Sequence, residues 1–211
     1  MLINSSNAQN KNCMNVVILK AADSENPVNT RDFNDYFYVE NNQICSNKDK
    51  KPFSGEIKII YLSGKTFAEL YYTEGIQNGT QYYYYENGKK QSVFNKSDGT
   101  TIWEEYYYEN GNIRFSIIKV DTNLYNNIYY YQTGEKESEG NTIYQRLITD
   151  YSKDLGKQHI KTGFWTTYYK NGQIMSIGEW GMTGKGGEIN SPIGEWKYYD
   201  EEGIEINESE R

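Results

Sequence analysis

The sequence predicts an all-β protein: one elongated, twisted antiparallel sheet of stacked β-hairpin repeats in a single domain. Three observations carry that expectation. Tyr supplies 22 of the 211 residues, beside 19 Gly and only 3 Pro; aromatic side chains suit pleated strands, and Gly suits the turns between them. Short aromatic runs end again and again in a polar turn closed by Gly. Those runs return at a period in the low twenties, as they do in repeat arrays.

Six copies of the unit can be aligned on their turn glycines. They read GEIKIIYLSG at 55–64, GTQYYYYENG at 79–88, IWEEYYYENG at 102–111, YNNIYYYQTG at 125–134, GFWTTYYKNG at 163–172 and GEWKYYDEEG at 194–203. The glycines at 64, 88, 111, 134, 172 and 203 give steps of 24, 23 and 23 residues, then 38 and 31, so the later steps contain insertions. Asn-Gly between two aromatic or β-branched runs is a strong hairpin signal, because both residues tolerate the positive φ of a tight turn. The residues that follow alternate as a second strand should: KTFAELYY at 65–72, NIRFSIIK at 112–119 and QIMSIGEW at 173–180. A lone hairpin is marginal in water. Stacking hairpins into one sheet shares their buried faces and ladder hydrogen bonds.

The segment Gly163 to Asn171-Gly172, a Gly-x-Trp-x-x-Tyr-Tyr-x-Asn-Gly pattern, resembles the bacterial variant of the MORN repeat, as do its relatives above. Lys51-Pro-Phe-Ser-Gly55 also looks like the usual opening of such arrays. The resemblance covers residues 36–205. It implies a β-hairpin scaffold used for binding, in a family that includes proteins catalogued as YwqK-type antitoxins. Three departures stand out. Trp103 lies one position earlier relative to its glycine than Trp165 does, so it either faces the other way or marks a bulge. The last copy has one extra residue between Tyr199 and Gly203, and the fourth lacks both the leading Gly and the Trp.

The array leaves three other parts of the chain to place. Residues 1–35 are Asn-rich and irregular, apart from a strand expected over Met14–Lys20 as a cap on the open end of the sheet. Residues 140–160 interrupt the array: Ile143, Leu147, Tyr151 and Leu155 would suit a helix, while Thr142 to Ile148 would equally suit a strand. Residues 181–192 read as a loop, and residues 206–211 as an acidic tail that frays with the turn before it.

Ser6-Asn7-Ala8 places small residues where a secretory cleavage site has them, without the basic start and apolar core of a full signal peptide. Two readings stay open: a sequence that begins inside a signal peptide, or a chance match. Export to the periplasm, envelope or medium is favoured over the cytoplasm. In that setting Cys13 and Cys45, the only cysteines, form one disulfide; in a cytosolic protein they are two reduced thiols.

Charge and motifs exclude several functions. A net charge of −7 argues against nucleic acid and anionic membranes. No apolar run approaches a membrane span. Gly184-Lys185-Gly186-Gly187 lacks the earlier Gly and the following Ser or Thr of a phosphate loop. His159 is the only imidazole, with no nucleophile motif to serve and no partner at metal-ligand spacing. Acidic pairs such as Glu104-Glu105, or Glu135 and Glu137, are ordinary on strand surfaces. The expectation is a protein with no catalytic residues, metal or cofactor.

Alternation puts Tyr61, Tyr85, Tyr108, Tyr131 and Tyr169 on one face with Ile57, Ile59 and Trp165, and that face is assigned to the core. The opposite face carries Tyr84, Tyr107, Tyr130 and Tyr168, one per repeat. With Trp103 these form the candidate partner-binding surface. The functional expectation is a protein-binding module, antitoxin- or immunity-like, that masks a basic partner. The alternative is an exported envelope or cell-surface protein that binds glycan through exposed aromatics.

Overall fold

The computed structural model describes residues 15–20, 30–148, 154–181 and 191–210. The chain is nearly all β. Strand β1 (Asn15–Lys20) is followed by a short helix α1 (Thr30–Tyr36) and a hairpin of β2 (Phe37–Glu40) and β3 (Gln43–Ser46). The main sheet then runs through β4 (Gly55–Ile60), β5 (Thr66–Thr73), β6 (Ile76–Gln77), β7 (Gly79–Tyr84), β8 (Lys90–Ser97), β9 (Thr100–Tyr107) and β10 (Ile113–Lys119). It continues with β11 (Leu124–Tyr130), β12 (Lys136–Ile148), β13 (Asp154–Tyr168), β14 (Ile174–Gly181), β15 (Ser191–Tyr199) and β16 (Glu205–Ile206). Fourteen strands form this one sheet, each beside its sequence neighbour, except that β1 adds to β4 at the first edge and β6 pairs only with β5. All pairings are antiparallel but β1 with β4, and the sheet does not close into a barrel.

Each repeat turn is built alike. Tyr85 N–H donates to the Lys89 carbonyl at 2.8 Å, and Gly88 N–H returns a bond to the Tyr85 carbonyl at 2.8 Å. The same pair of bonds recurs at Tyr61, Tyr108, Tyr131, Tyr169 and Asp200. This is a three-residue loop, a type I turn completed by one left-handed residue. Only the glycine takes positive φ (+85° at Gly88), so the two-residue Asn-Gly turn expected from sequence is not what forms. The asparagine instead acts through its side chain. Asn87 Oδ1 accepts from Lys89 N–H at 2.8 Å, and Asn110 Nδ2 donates to the Gln132 carbonyl of the next turn at 2.8 Å. Two-residue turns with both φ positive occur instead at Glu74-Gly75 and Asp98-Gly99. The last copy carries no extra residue, because Asp200 simply occupies the place that tyrosine holds elsewhere.

Three residues after the turn glycine the second strand is irregular. The pairing skips Phe67, Gln91, Arg114, Glu137 and Met175 in the five hairpins from β4/β5 to β13/β14. Such bulges raise local twist and bend the strand. Tyrosine then ties repeat to repeat. The hydroxyl of Tyr61 donates to the Tyr84 carbonyl at 2.7 Å, Tyr85 to Tyr107 at 2.6 Å and Tyr108 to Tyr130 at 3.0 Å. Tyr131 donates to Tyr168 at 2.7 Å and Tyr169 to Tyr199 at 2.9 Å.

The buried hydrophobic cluster lies at one end, while Val93, Ile160 and Trp165 are buried farther along the sheet. Phe37 and Phe53 cover Ile57, Ile59, Tyr61, Phe67 and Leu70 on one face of β4 and β5, with Leu19 from β1. Residues 37–46 make a separate small sheet packed on the array. Beyond β7 no second layer is present among the described residues, and Phe94, Tyr106, Phe115 and Tyr129 on that face are only half-buried. The described parts of the segment 140–160 are strand: β12 and β13 pair so that Ile143 faces Ile160 and Tyr144 faces His159, while residues 149–153, Tyr151 among them, lie outside the described residues. Ser191 and Pro192 begin β15 rather than ending a loop; residues 182–190 lie outside the described residues.

Two tryptophans lie flat over glycines of the neighbouring strand. A Cβ on Gly140 would sit 2.3 Å from Trp165 Cδ2, and one on Gly178 would sit 2.1 Å from Trp196 Cδ2. Gly140→Ala is expected to displace Trp165 and break its indole bond to the Asn141 carbonyl, costing about 2–3 kcal/mol. Gly172→Ala, with open space around it and φ at +87°, costs about 1–2 kcal/mol from backbone strain alone. Urea denaturation in a Trp165→Ala background separates them: the Gly140 cost disappears there and the Gly172 cost does not.

Candidate binding surface

Register fixes the faces. Trp103, Glu105 and Tyr107 of β9 share a side with Ile118 and Ser116 of β10, since Trp103 faces Ile118 and Glu105 faces Ser116. Trp165 lies on the other side with Gly140, Asn127 and Ile117, so Trp103 and Trp165 point oppositely. The one-residue offset of Trp103 in the sequence is therefore a change of face. Alternation places Tyr84, Tyr107, Tyr130 and Tyr168 with Trp103, on strands β7, β9, β11 and β13. With one strand between each pair, the tyrosines stand about 10 Å apart along the sheet.

Three of the four phenols are tied to carboxylates. Tyr84 donates to Glu69 Oε2 at 2.9 Å and Tyr107 to Glu105 Oε2 at 2.5 Å, while Tyr168 donates to Glu139 Oε1. Lysines complete two of these groups: Lys58 pairs with Glu69 and Lys136 with Glu139, both at 2.9 Å. Lys90 lies over the rings of Tyr82 and Tyr107, and Lys136 over that of Tyr168. Tyr130 faces Lys136 in register, and its carbonyl accepts from Tyr108. Two depressions open on this side. One of about 480 Å³ borders Glu69 and Tyr84, and one of about 240 Å³ borders Trp103, Glu105 and Ile118. Ile118 is 47% exposed, an apolar spot between Trp103 and Asn126 in register.

The opposite face holds a run of rings of which the core assignment from sequence names only Tyr61 and Trp165. Tyr61, Phe67, Tyr83, Phe94, Tyr106, Phe115, Tyr129 and Trp165 form a continuous file with neighbouring centroids 4.3–6.2 Å apart. Tyr83, Tyr106 and Tyr129 each sit two residues before a pre-turn tyrosine, so the alternation already in the sequence points to them. Beyond Trp165, Lys161 lies between the rings of Trp165 (4.3 Å) and Trp180 (4.4 Å).

The remaining sequence candidates are dispersed. Cys45 is buried beside Pro52 and forms no disulfide among the described residues; Cys13 lies outside them. His159 packs against the rings of Tyr125 and Tyr144, both at 4.8 Å, and meets Thr142 Oγ1 at 3.1 Å. Among the described residues no three His, Cys, Asp or Glu side chains gather as metal ligands.

No family model matches the chain, and no curated protein matches it.

The phenol–carboxylate pairs give the surface a pH signature. Burial, and then the bond to Glu139, push Tyr168 up to about 12. Burial followed by the bonds to Glu69 and Glu105 also holds Tyr84 and Tyr107 well above the ordinary phenol range. A phenol whose pKa is raised on folding stabilises the fold fully below its unfolded pKa, near 10. That contribution is lost as pH rises through the folded value. Stability is thus expected to fall between pH about 10 and about 12, and ultraviolet tyrosinate titration to show these phenols ionising late. Tyr168→Phe removes one late step from the titration; an unchanged curve would contradict the assignment.

Proposed function

We propose that the chain is a non-enzymatic binding protein whose Tyr84–Tyr107–Tyr130–Tyr168 face receives a basic surface of another protein. The observation that carries this reading is the fixing of three phenols by Glu69, Glu105 and Glu139. Rings held in place before binding lose little conformational freedom when a partner arrives. Each carboxylate still has acceptor positions to offer a lysine or arginine. With their hydroxyls already bonded and their pKa raised, these tyrosines are suited to contact rather than to proton transfer at neutral pH. The net charge of −7 favours a basic partner through steering over longer range.

The likeness of the repeats to the bacterial MORN variant supports the same reading, since arrays of that type serve as scaffolds for protein contact. An antitoxin or immunity role, in which the sheet masks a basic toxin surface, is the biological form this likeness implies.

Tyr107→Ala with Tyr130→Ala is expected to leave the far-ultraviolet spectrum intact and to weaken partner binding about 10- to 100-fold. The check is immobilised wild-type and variant protein exposed to source-cell lysate at two salt concentrations, with recovery quantified by mass spectrometry. One basic protein held by the wild type at low salt and lost by the folded variant supports the proposal. Equal recovery by both removes this face from it.

A further inference from the structure

On the opposite face from the phenol–carboxylate surface, a groove of about 450 Å³ crosses five adjacent strands, β9 to β13. Ile102 and Ile117 line it on this face, and Trp103 of β9 borders it. One wall carries Tyr125, Tyr144 and His159, three rings whose centroids lie 4.8–6.4 Å apart. The long β12/β13 hairpin creates this wall, because Tyr144 and His159 lie past the point where β11 begins at Leu124. Behind the wall, Asn127 Nδ2 donates to Thr142 Oγ1 at 2.9 Å, and Thr142 contacts the imidazole, so His159 is held from below by buried polar groups.

The polar groups of the groove are of both signs. Glu104 projects from β9 and makes no ion pair or hydrogen bond among the described residues. Its carboxyl is held above the usual carboxylate range by burial, with Lys96 opposing the shift. Lys119 lines the same groove from β10. A purely cationic ligand would meet Lys119, and a purely anionic one would meet Glu104. A neutral ligand rich in hydroxyls satisfies both, because each hydroxyl donates and accepts. The C–H faces of a sugar ring also match aromatic walls, and the volume lies within the range of small-ligand sites.

We propose that this groove is a binding site for a short neutral oligosaccharide, seated on Tyr125 and Tyr144 with its hydroxyls between Glu104 and Lys119. It stands apart from the protein-binding face and does not depend on that reading.

The test is calorimetric titration of the full chain with cellohexaose, maltohexaose and N-acetylated chitohexaose, with hexa-arginine and free phenylalanine as ligands of other chemistry. At least one saccharide is expected to bind, with Tyr125→Ala weakening it by about tenfold or more and Tyr125→Phe preserving it. Glu104→Gln also weakens it, and Lys197→Ala, on the distant strand β15, does not. Circular dichroism of each variant verifies the fold, and Tyr125→Phe separates loss of the ring from loss of structure. The proposal is overturned if no saccharide binds up to about 10 mM, if binding is indifferent to Tyr125→Ala, or if hexa-arginine or phenylalanine occupies the groove instead.

Discussion

The bond from each pre-turn tyrosine hydroxyl to a backbone carbonyl of the next repeat is the interaction on which the rest of the array depends. It joins positions 61 to 84, 85 to 107, 108 to 130, 131 to 168 and 169 to 199. Strand pairing alone lets a hairpin slide by two residues without turning its faces over. A phenol that must reach one particular carbonyl forbids that slip. The turn asparagines act in parallel, with Asn110 and Asn171 donating to carbonyls of the following turns. One edge of the sheet is thereby fixed repeat by repeat, and length variation goes to the other edge. The extended ends of β12 and β13 lie there, as do the end of β14 at Gly181 and the start of β15 at Ser191, and the ladder passes both places without a break. At the last copy the pre-turn position is Asp200, which has no phenol to donate.

A sheet held in this way has its clustered core at its start. The helix and the β2/β3 hairpin cover β4 and β5, and β1 occupies the first edge. From β7 onward the stabilisation is quasi-one-dimensional, each strand gaining from its two neighbours and from the ring file that runs between them. Trp165 and Trp196 show the close fit this permits, since each lies where a glycine of the adjacent strand leaves no Cβ. The consequence for function is that, among the described residues, both faces remain open along most of the array. A scaffold with two faces can carry two unrelated surfaces, one of phenols tied to carboxylates and one with a groove walled by rings.

The candidate surface was partly legible before the structure. Glu105 lies two residues before Tyr107, so their meeting on one face follows from alternation alone. Glu69 and Glu139 reach Tyr84 and Tyr168 from neighbouring strands, and nothing in the local sequence names them. The groove was less legible still. Its residues come from five strands, and two of its rings stand on a hairpin that the pattern of Ile143, Leu147, Tyr151 and Leu155 leaves open between helix and strand.

The sequence by itself determined the hairpin unit, its period, the glycine that closes each turn and the side on which each tyrosine lies. All of these are local, set by backbone sterics and by the two-residue alternation of a strand. Tertiary structure decided what those local facts could not. The turn is a three-residue loop with only the glycine in the left-handed region, and it forms alike where Ser63, Thr133 or Glu202 stands in place of the asparagine, so the pairing of the flanking strands and not the Asn-Gly pair selects it. Among the described residues the face assigned to the core carries a second layer only over the first hairpin, because Phe37 and the small β2/β3 sheet pack across it there. Which carboxylate meets which phenol depends on register between strands, and register comes from bulges and hydroxyl bonds linking residues more than twenty positions apart.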